Sequence, residues 1–192
     1  MVNLTRLEEF FFVSSLEGYA GGGKFLPVSG CPGWKSFRRE DGKLLFVDMY
    51  FSAGSFSRGM TVIYLLEKKT HLPIWQMSYN GEEKLAGLDT DVKNCLKGAL
   101  CRAYEQRQFF AGRGPEIFEM PVKSVPMQQL GVGGYQTLVY RNSAAFKNTS
   151  LGGNFFVFSA RETIRKGHTE TKQLLFWHDI SGGLLRPDLV VT

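Results

Sequence analysis

The chain has 192 residues, of which 43% are hydrophobic and 14% aromatic, and its formal net charge is +5. This composition excludes a disordered chain, and a chain of this length can bury roughly 70% of its unfolded surface in one domain. The basic residues are spread along the whole sequence. A solvated basic surface is therefore favoured, and no strong case for nucleic-acid binding arises.

The cysteines and the N-terminal residues bear on the compartment. Cys31, Cys95 and Cys101 are an odd and scattered set, which argues against a disulfide framework and favours a reducing environment. Glu8 and Glu9 stand where a signal peptide would have its apolar run. No stretch reaches the roughly 18 apolar residues of a membrane span. We therefore expect a cytoplasmic protein with no membrane partner.

A first helix is predicted over residues 3–17. Thr5 and Glu8 have the spacing of a capping box, apolar residues recur at helical spacing, and Gly18 supplies a stop. Such a short helix needs a sheet to lie on.

The segment after this helix, Gly18-Tyr19-Ala20-Gly21-Gly22-Gly23-Lys24, fits the first seven positions of the phosphate-binding loop G-x-x-x-x-G-K. Phe25 stands where that loop has the Ser or Thr that holds magnesium. The loop also leaves a helix and runs into Pro27, whereas a phosphate-binding loop leaves a strand and opens a helix. Nucleotide binding by this route is not expected.

From Trp34 onward the pattern changes to strands rich in aromatic and β-branched residues, with a spacing that suits an antiparallel meander. A second helix is predicted over 90–106, capped by Asp89 or Thr90, and strands follow it again. The segment from Arg186 onward is predicted to be a tail. The predicted strands are 44–51, 59–67 and 73–80 in the first half, and 116–122, 135–141, 154–165 and 173–181 in the second.

The two halves end on similar segments, Pro73–Gly81 and Leu174–Gly182, each an apolar strand that stops at a glycine. We therefore predict an α+β fold of two tandem helix-plus-antiparallel-meander repeats that form one pseudo-symmetric domain over 1–192. Repeat 1 spans about 1–87 and repeat 2 about 88–185, with the boundary near 85–88. The sequence leaves open whether the repeats share one sheet or form two.

Side chains alternate between the two faces of a strand, so a period of two sorts the strand positions. One face of the predicted sheet is apolar, and the other mixes aromatic with polar groups. The mixed face is either a solvated outer face or a concave ligand-binding face. Arg113 is a candidate anchor for an anionic group of a ligand. The candidate ligand-binding residues on the mixed face are Asp48, Tyr50, Gln76, Trp177 and Asp179.

Three carboxylates, Asp48, Glu162 and Asp179, fall inside strand patterns, where a charge faces solvent, pairs with a cation or serves a site. Glu162 therefore joins the candidate ligand-binding residues. Ion pairs are the simpler interpretation of all three, and acid–base chemistry is the alternative. No individual catalytic residue is predicted.

The histidines give no metal or nucleophile motif. His71, His168 and His178 lack metal-ligand spacing among themselves or with the cysteines, and no nucleophile elbow is present. His178 aligns with Met77 on the predicted core side, which favours a structural role. We expect no metal and no cofactor.

Seven short segments occur together in a recognisable order between residues 8 and 185. They are Tyr19–Gly23, Asp48–Phe51, Pro73–Gly81, Leu96–Leu100, Arg113–Pro115, Glu162–Ile164 and Ser181–Gly183. As a set they resemble an uncharacterised bacterial domain family that occurs alone or behind an N-terminal helix-turn-helix of the XRE regulator type.

The chain departs from that family at Arg58 and Met60, where the family tends to have a glycine and then a glutamate, and at Ser181, where a histidine is usual. Glu162 is kept. This chain has no helix-turn-helix pattern, so the resemblance does not imply DNA binding, and the family supplies no settled activity to expect here.

These observations predict a stand-alone small-molecule-binding or sensory domain that holds a small, partly apolar ligand on the mixed face or between the repeats. Two alternatives remain open. One is an enzyme of unrecognised type that uses a strand carboxylate as acid or base. The other is a protein–protein interaction module whose mixed face is a homo-oligomer or partner surface, for example that of a homodimer.

Overall fold

The computed structural model describes residues 1–68, 70–84, 89–110, 113–123, 135–147, 155–167 and 173–191. In these residues there are two α-helices, α1 (Leu4–Ser15) and α2 (Asp89–Glu105), and eleven strands. The strands are β1 (Val2–Asn3), β2 (Leu26–Pro27), β3 (Trp34–Asp41), β4 (Leu44–Ala53), β5 (Phe56–Leu66), β6 (His71–Glu83), β7 (Ile117–Lys123), β8 (Tyr135–Lys147), β9 (Val157–Lys166), β10 (Leu174–Leu184) and β11 (Val190–Val191).

Nine of these strands form one antiparallel sheet in the order β2-β3-β4-β5-β6-β10-β9-β8-β7. The last strand of each predicted meander, β6 or β10, lies at the centre and pairs with the other. The predicted α+β class is therefore confirmed, and the two meanders share one sheet. The predicted boundary near 85–88 lies outside the described residues.

The N-terminus of α1 differs from the prediction. The helix is capped by Asn3, whose side-chain Oδ1 accepts a hydrogen bond from the Arg6 backbone N–H at 3.3 Å. The predicted capping box at Thr5 and Glu8 is therefore wrong, because Thr5 already lies inside the helix. At its other end α1 runs into a π-helical turn over Leu16–Ala20, in which Gly18 has a non-helical ψ of −128°.

The C-terminal segment also differs from the prediction. Instead of a tail, Pro187–Leu189 forms a 3₁₀ turn, and β11 then pairs in parallel with β1. The sequence signal is weak because a two-residue strand has no detectable period. Neither helix in the described residues is long and apolar enough to cross a membrane.

Both helices pack on the same face of the sheet, and the core lies between the helices and that face. Its centre is Trp75 on β6, which is fully buried and lies between Phe11 of α1 and the rings of Phe155 and Phe158, with centroid distances of 4.9, 4.9 and 5.8 Å. The indole N–H donates to the Phe155 carbonyl at 3.0 Å. Its one polar atom is therefore satisfied in the core.

Candidate functional site

A cavity of about 520 Å³ opens between α2, the β4–β5 hairpin and the adjoining parts of β6 and β10. This volume lies within the usual range for small-molecule sites, roughly 300–1,000 Å³. The wall combines aromatic rings with hydroxyl groups and three basic side chains, Lys93, Lys97 and Arg113. The aromatic residues of the wall are Tyr19, Tyr50, Phe56, Tyr79 and Phe176.

Two glycines make room for the rings that floor the cavity. Gly59 pairs with Tyr79, and a Cβ at Gly59 would collide with the Tyr79 phenol ring. Gly81 pairs with His178, and a Cβ at Gly81 would lie 2.6 Å from Cδ2 of the imidazole. The absence of a side chain at these positions lets the rings lie down across the neighbouring strand. The glycine that closes the Pro73–Gly81 segment therefore has a packing role.

A chain of hydrogen bonds runs from the cavity wall into the core. Ser57 Oγ lies 2.6 Å from Nε2 of His178, and Nδ1 of the same ring lies 2.8 Å from Nη2 of Arg113. Arg113 also donates to both oxygens of Glu162 at 3.0 to 3.2 Å. Tyr140 donates to Glu162 Oε1 at 2.7 Å. Only Ser57 among these residues is more than slightly exposed.

The direction of this chain follows from Arg113. A guanidinium group can only donate, so Nδ1 of His178 accepts, and a neutral imidazole then carries its proton on Nε2. Nε2–H donates to Ser57 Oγ, which leaves the hydroxyl hydrogen of Ser57 free for an acceptor in the cavity. Glu162 Oε2 lies 3.7 Å from Nδ1, beyond hydrogen-bond distance, so the shorter contact from Arg113 decides the tautomer.

The charges of the buried pair are stable at neutral pH. Burial raises the pKa of Glu162, but the Arg113 charge and the hydrogen bonds from its partners outweigh burial and bring that pKa to about 2. Burial lowers the pKa of Arg113, and the Glu162 charge more than compensates, so its pKa is raised. Burial, reinforced by the Arg113 charge, lowers the pKa of His178, although the nearby Glu162 carboxylate opposes the change. At pH 7 the array therefore holds one ion pair and a neutral imidazole.

Asp48 lies behind the cavity wall. It accepts hydrogen bonds from Thr61 Oγ1 at 3.0 Å and from the Tyr79 hydroxyl at 3.3 Å, and it is 7% exposed. Burial raises the pKa of Asp48 to about 6, although the hydrogen bonds and the Arg113 charge oppose the change. Asp48 lines a separate cavity of about 20 Å³, together with Arg113.

The predicted site residues do not all meet. Asp48, Tyr50, Arg113 and Glu162 lie on the helix-covered side, and Tyr50 and Arg113 line the large cavity. The other three predicted residues, Gln76, Trp177 and Asp179, lie on the opposite face of the sheet. The register sets this separation, because Asp48 pairs with Thr61 and Thr61 with Met77, so Gln76 points the other way.

The single mixed face predicted from the sequence is therefore wrong. On the opposite face, Asp179 forms a bidentate ion pair with Arg161 at 2.6 and 2.8 Å. The Arg161 guanidinium carbon lies 5.2 Å from the centroid of the Trp177 ring. Both partners of that ion pair are largely solvent-exposed. Period two gives the alternation within each strand but not which face of one strand joins which face of the next.

Sequence reasoning missed Ser57 as a site residue and assigned His178 to a structural role. His178 sits at a core-side position in a run of apolar residues, and this buried polar position was the available signal. Ser57 carries no such signal, because it lies between Phe56 and Arg58 at the start of a strand. Only the pairing of β5 with β6 and of β6 with β10 brings Ser57 and His178 together.

No group of three or more His, Cys, Asp or Glu side chains that could hold a metal ion occurs among the described residues. Comparisons with known protein families, with curated proteins and with solved structures found no match to this chain. The cavity offers three kinds of chemical group to a ligand: aromatic surfaces, an oriented Ser57 hydroxyl donor and lysine ammonium groups at the α2 wall.

Proposed function

We propose that this protein is a binding or sensory domain that holds a small, partly apolar molecule in the 520 Å³ cavity. The observation that carries the proposal is the wall of that cavity, where aromatic rings surround the Ser57 hydroxyl, whose orientation is fixed by His178 and Arg113. An apolar pocket with a few convergent, preorganised polar groups is the usual form of a small-molecule site.

The buried ion pair supports the same proposal. Taking Arg113 and Glu162 out of water costs several kcal/mol per ion, which their mutual attraction only partly or just offsets. Such a pair stabilises a fold poorly compared with apolar side chains of the same volume. Holding His178 in one tautomer is a benefit that apolar residues could not give. Clusters of perturbed pKa values next to a cleft are also typical of functional sites.

Phe56 is a third supporting feature. It is a large apolar side chain at the rim of the cavity and is 60% exposed. A ligand with an apolar part would cover this ring and remove it from water.

The proposal is tested by blocking the cavity. Asn94 is exposed on α2 and lines the cavity, so Asn94→Trp fills the opening without disturbing the core. Asn80→Trp is the matched control, because Asn80 is exposed on the other face of the sheet. We expect aromatic fragments to bind wild type and Asn80→Trp in ligand-observed NMR and to lose binding to Asn94→Trp. Equal binding by all three proteins would contradict the proposal.

An enzyme is the second candidate, and the 2.6 Å contact between Ser57 and His178 favours it, because serine hydrolases use such a pair. In this mechanism Nε2 takes the serine proton as Oγ attacks a carbonyl carbon. The contact from Arg113 to Nδ1 opposes it, since the proton already on Nε2 prevents that transfer. Labelling of Ser57 by a fluorophosphonate probe, lost in Ser57→Ala, would favour the enzyme over the binding domain.

We further propose that the two halves are pseudo-symmetric repeats related to the bacterial family described above. The register supports the repeat: Gly59 pairs with Tyr79, and Ala160 pairs with Ile180, each 101 positions later. Thr61–Met77 and Glu162–His178 have the same relationship. The buried array would then be the second-half counterpart of the site around Thr61 and Met77 in the first half, where Thr61 donates to the buried Asp48.

A cytoplasmic location and a homodimer are also proposals. The three free cysteines support a reducing location.

The half-buried Gln76 and Trp177 on the face away from the helices support a partner surface, as the alternative interaction-module function requires. Size-exclusion chromatography with light scattering tests the homodimer, and a monomer at all concentrations would remove it.

A further inference from the structure

We propose that the ligand is an aromatic anion whose acidic group lies between Lys97 and Lys35, beside the glycine loop at 21–23. This inference rests on the proposed function, because it specifies the chemistry of the molecule in the same cavity. It also moves the anion anchor away from Arg113, the position that the sequence favoured.

A second cavity, of about 250 Å³, adjoins the first. Tyr19, Tyr50 and Lys97 line both cavities, so these three side chains form the wall between them. The remaining lining residues of the second cavity come from the glycine loop and from β3. They are Gly22, Gly23, Phe25 and Lys35.

The charges of the lining groups decide which residue can hold an anion. Arg113 is already neutralised by Glu162 through three contacts of 3.0 to 3.2 Å. Lys93 Nζ lies 3.9 Å from Glu83 Oε2, so its charge is partly compensated. Within the described parts of the chain, Lys35 and Lys97 form no ion pair with a carboxylate. An incoming anion would therefore meet uncompensated positive charge at Lys97, on the wall that the two cavities share, and at Lys35 in the second cavity.

Lys97 lies where the two cavities adjoin. Its ammonium lies 5.3 Å from the centre of the Tyr19 ring, a cation–π contact that holds it at the shared wall. Tyr19 and Tyr50 pack edge to face with their centroids 6.4 Å apart. An aromatic body in the first cavity and an acidic group in the second would thus share one ordered cation.

The glycine loop resembles a phosphate-binding loop in sequence, but its backbone amides are not available to hold an anion. The amides of Gly22 and Gly23 donate to the carbonyls of Tyr19 and Gly18, at 3.3 and 2.7 Å, so they do not face a ligand. Gly22 has a φ of +80° and no atom within 4 Å of the position of a Cβ, so the loop leaves open space there. Ammonium groups, rather than backbone amides, supply the positive charge.

The experiment compares two probes that differ in charge, 1-naphthyl phosphate and neutral 1-naphthol, by calorimetry and ¹⁵N NMR up to millimolar concentration. We expect the phosphate to bind at least tenfold more tightly and its advantage to shrink as salt is added. Lys97→Met and Lys35→Met keep the aliphatic stems and remove the charges. Each should weaken phosphate binding roughly ten- to hundredfold, as expected for one charge-assisted hydrogen bond. Lys35→Met should leave naphthol binding unchanged, because Lys35 lines only the second cavity.

Lys43→Met is the matched control, because Lys43 is exposed in the β3–β4 hairpin and lines neither cavity. Equal affinity for the two probes, or equal losses in Lys97→Met and Lys43→Met, would overturn the anion site while the aromatic cavity stands. If neither probe shifts the amide resonances of the cavity residues, the proposed function fails together with this inference.

Discussion

Ser57 Oγ and His178 Nε2 lie 2.6 Å apart although 121 positions separate the two residues in the chain. The pair looks like the nucleophile and base of a hydrolase, and Arg113 at Nδ1 turns it into the reverse arrangement, with His178 as the donor. One hydrogen-bond direction therefore separates the two candidate functions.

The first prediction concerns the direction of the hydrogen bond between His178 and Ser57. We expect ¹⁵N NMR of the imidazole to give the Nε2–H tautomer of His178 at pH 7 and protonation of the ring only below its ordinary pKa of 6.5, because burial and the Arg113 charge lower that pKa against the opposing effect of Glu162. His71 is exposed and serves as the internal comparison within the same spectrum. Observation of the Nδ1–H tautomer would mean that Glu162, not Arg113, is the partner and would favour the hydrolase.

The second prediction compares two Arg–carboxylate pairs on opposite faces of the sheet. Arg113→Met leaves the Glu162 charge buried without its partner and should lower the free energy of unfolding by about 3–5 kcal/mol. Arg161→Met removes an exposed pair of similar geometry and should cost less than about 1 kcal/mol. Urea unfolding of both variants measures the difference.

A partial rescue completes this test. Arg113→Met combined with Glu162→Met replaces the ion pair by apolar side chains and should recover most of the lost stability. A double variant as unstable as Arg113→Met would show that the pair contributes packing that methionine cannot replace, and the desolvation argument would be wrong.

The third prediction concerns the two tryptophans of similar sequence context. Trp75 is fully buried against Phe11, Phe155 and Phe158, so Trp75→Ala should lower stability by about 3–5 kcal/mol. Trp177 is half-buried on the opposite face, so Trp177→Ala should fold normally and bind fragments as wild type does. Loss of fragment binding in Trp177→Ala would return the site to the face predicted from the sequence.

The fourth prediction uses the raised pKa of Asp48. The carboxyl has an ordinary pKa of 3.8 and a folded-state pKa of about 6, so the folded protein holds this proton more tightly than the unfolded chain does. The resulting stabilisation is present below about pH 3.8 and is lost as the pH rises through 6, and it amounts to about 3 kcal/mol.

Asp48→Asn isolates this contribution, since Asn keeps an acceptor for Thr61 and Tyr79 but does not titrate. Relative to Asp48→Asn, wild type should be more stable at pH 4 than at pH 8 by roughly 2.5 kcal/mol, most of the full contribution, as measured by urea unfolding at the two pH values. The difference between the proteins cancels the titration of Glu162 and His178. A pH-independent difference would mean that the folded-state pKa of Asp48 is ordinary.

The sequence by itself determined both helices and most of the long strands, but not β3 or the short strands β1, β2 and β11. Apolar and aromatic residues at a period of two or at helical spacing predicted strands and helices close to β4, β5, β6, β10, α1 and α2, because local backbone preference and burial impose those periods. Buried polar residues inside such periods, Asp48 and Glu162, were also detectable, since a carboxylate at a core position needs a partner.

Only the tertiary structure decided which residues meet. Pairing β6 with β10 made one sheet, put Gln76 and Trp177 on the face away from the helices, and brought Ser57 to His178. A period of two is unchanged when a strand shifts its partner or its face, so sequence alone cannot choose among these registers. The burial of the whole helix-covered face makes that choice, and the cavity exists as a consequence of it.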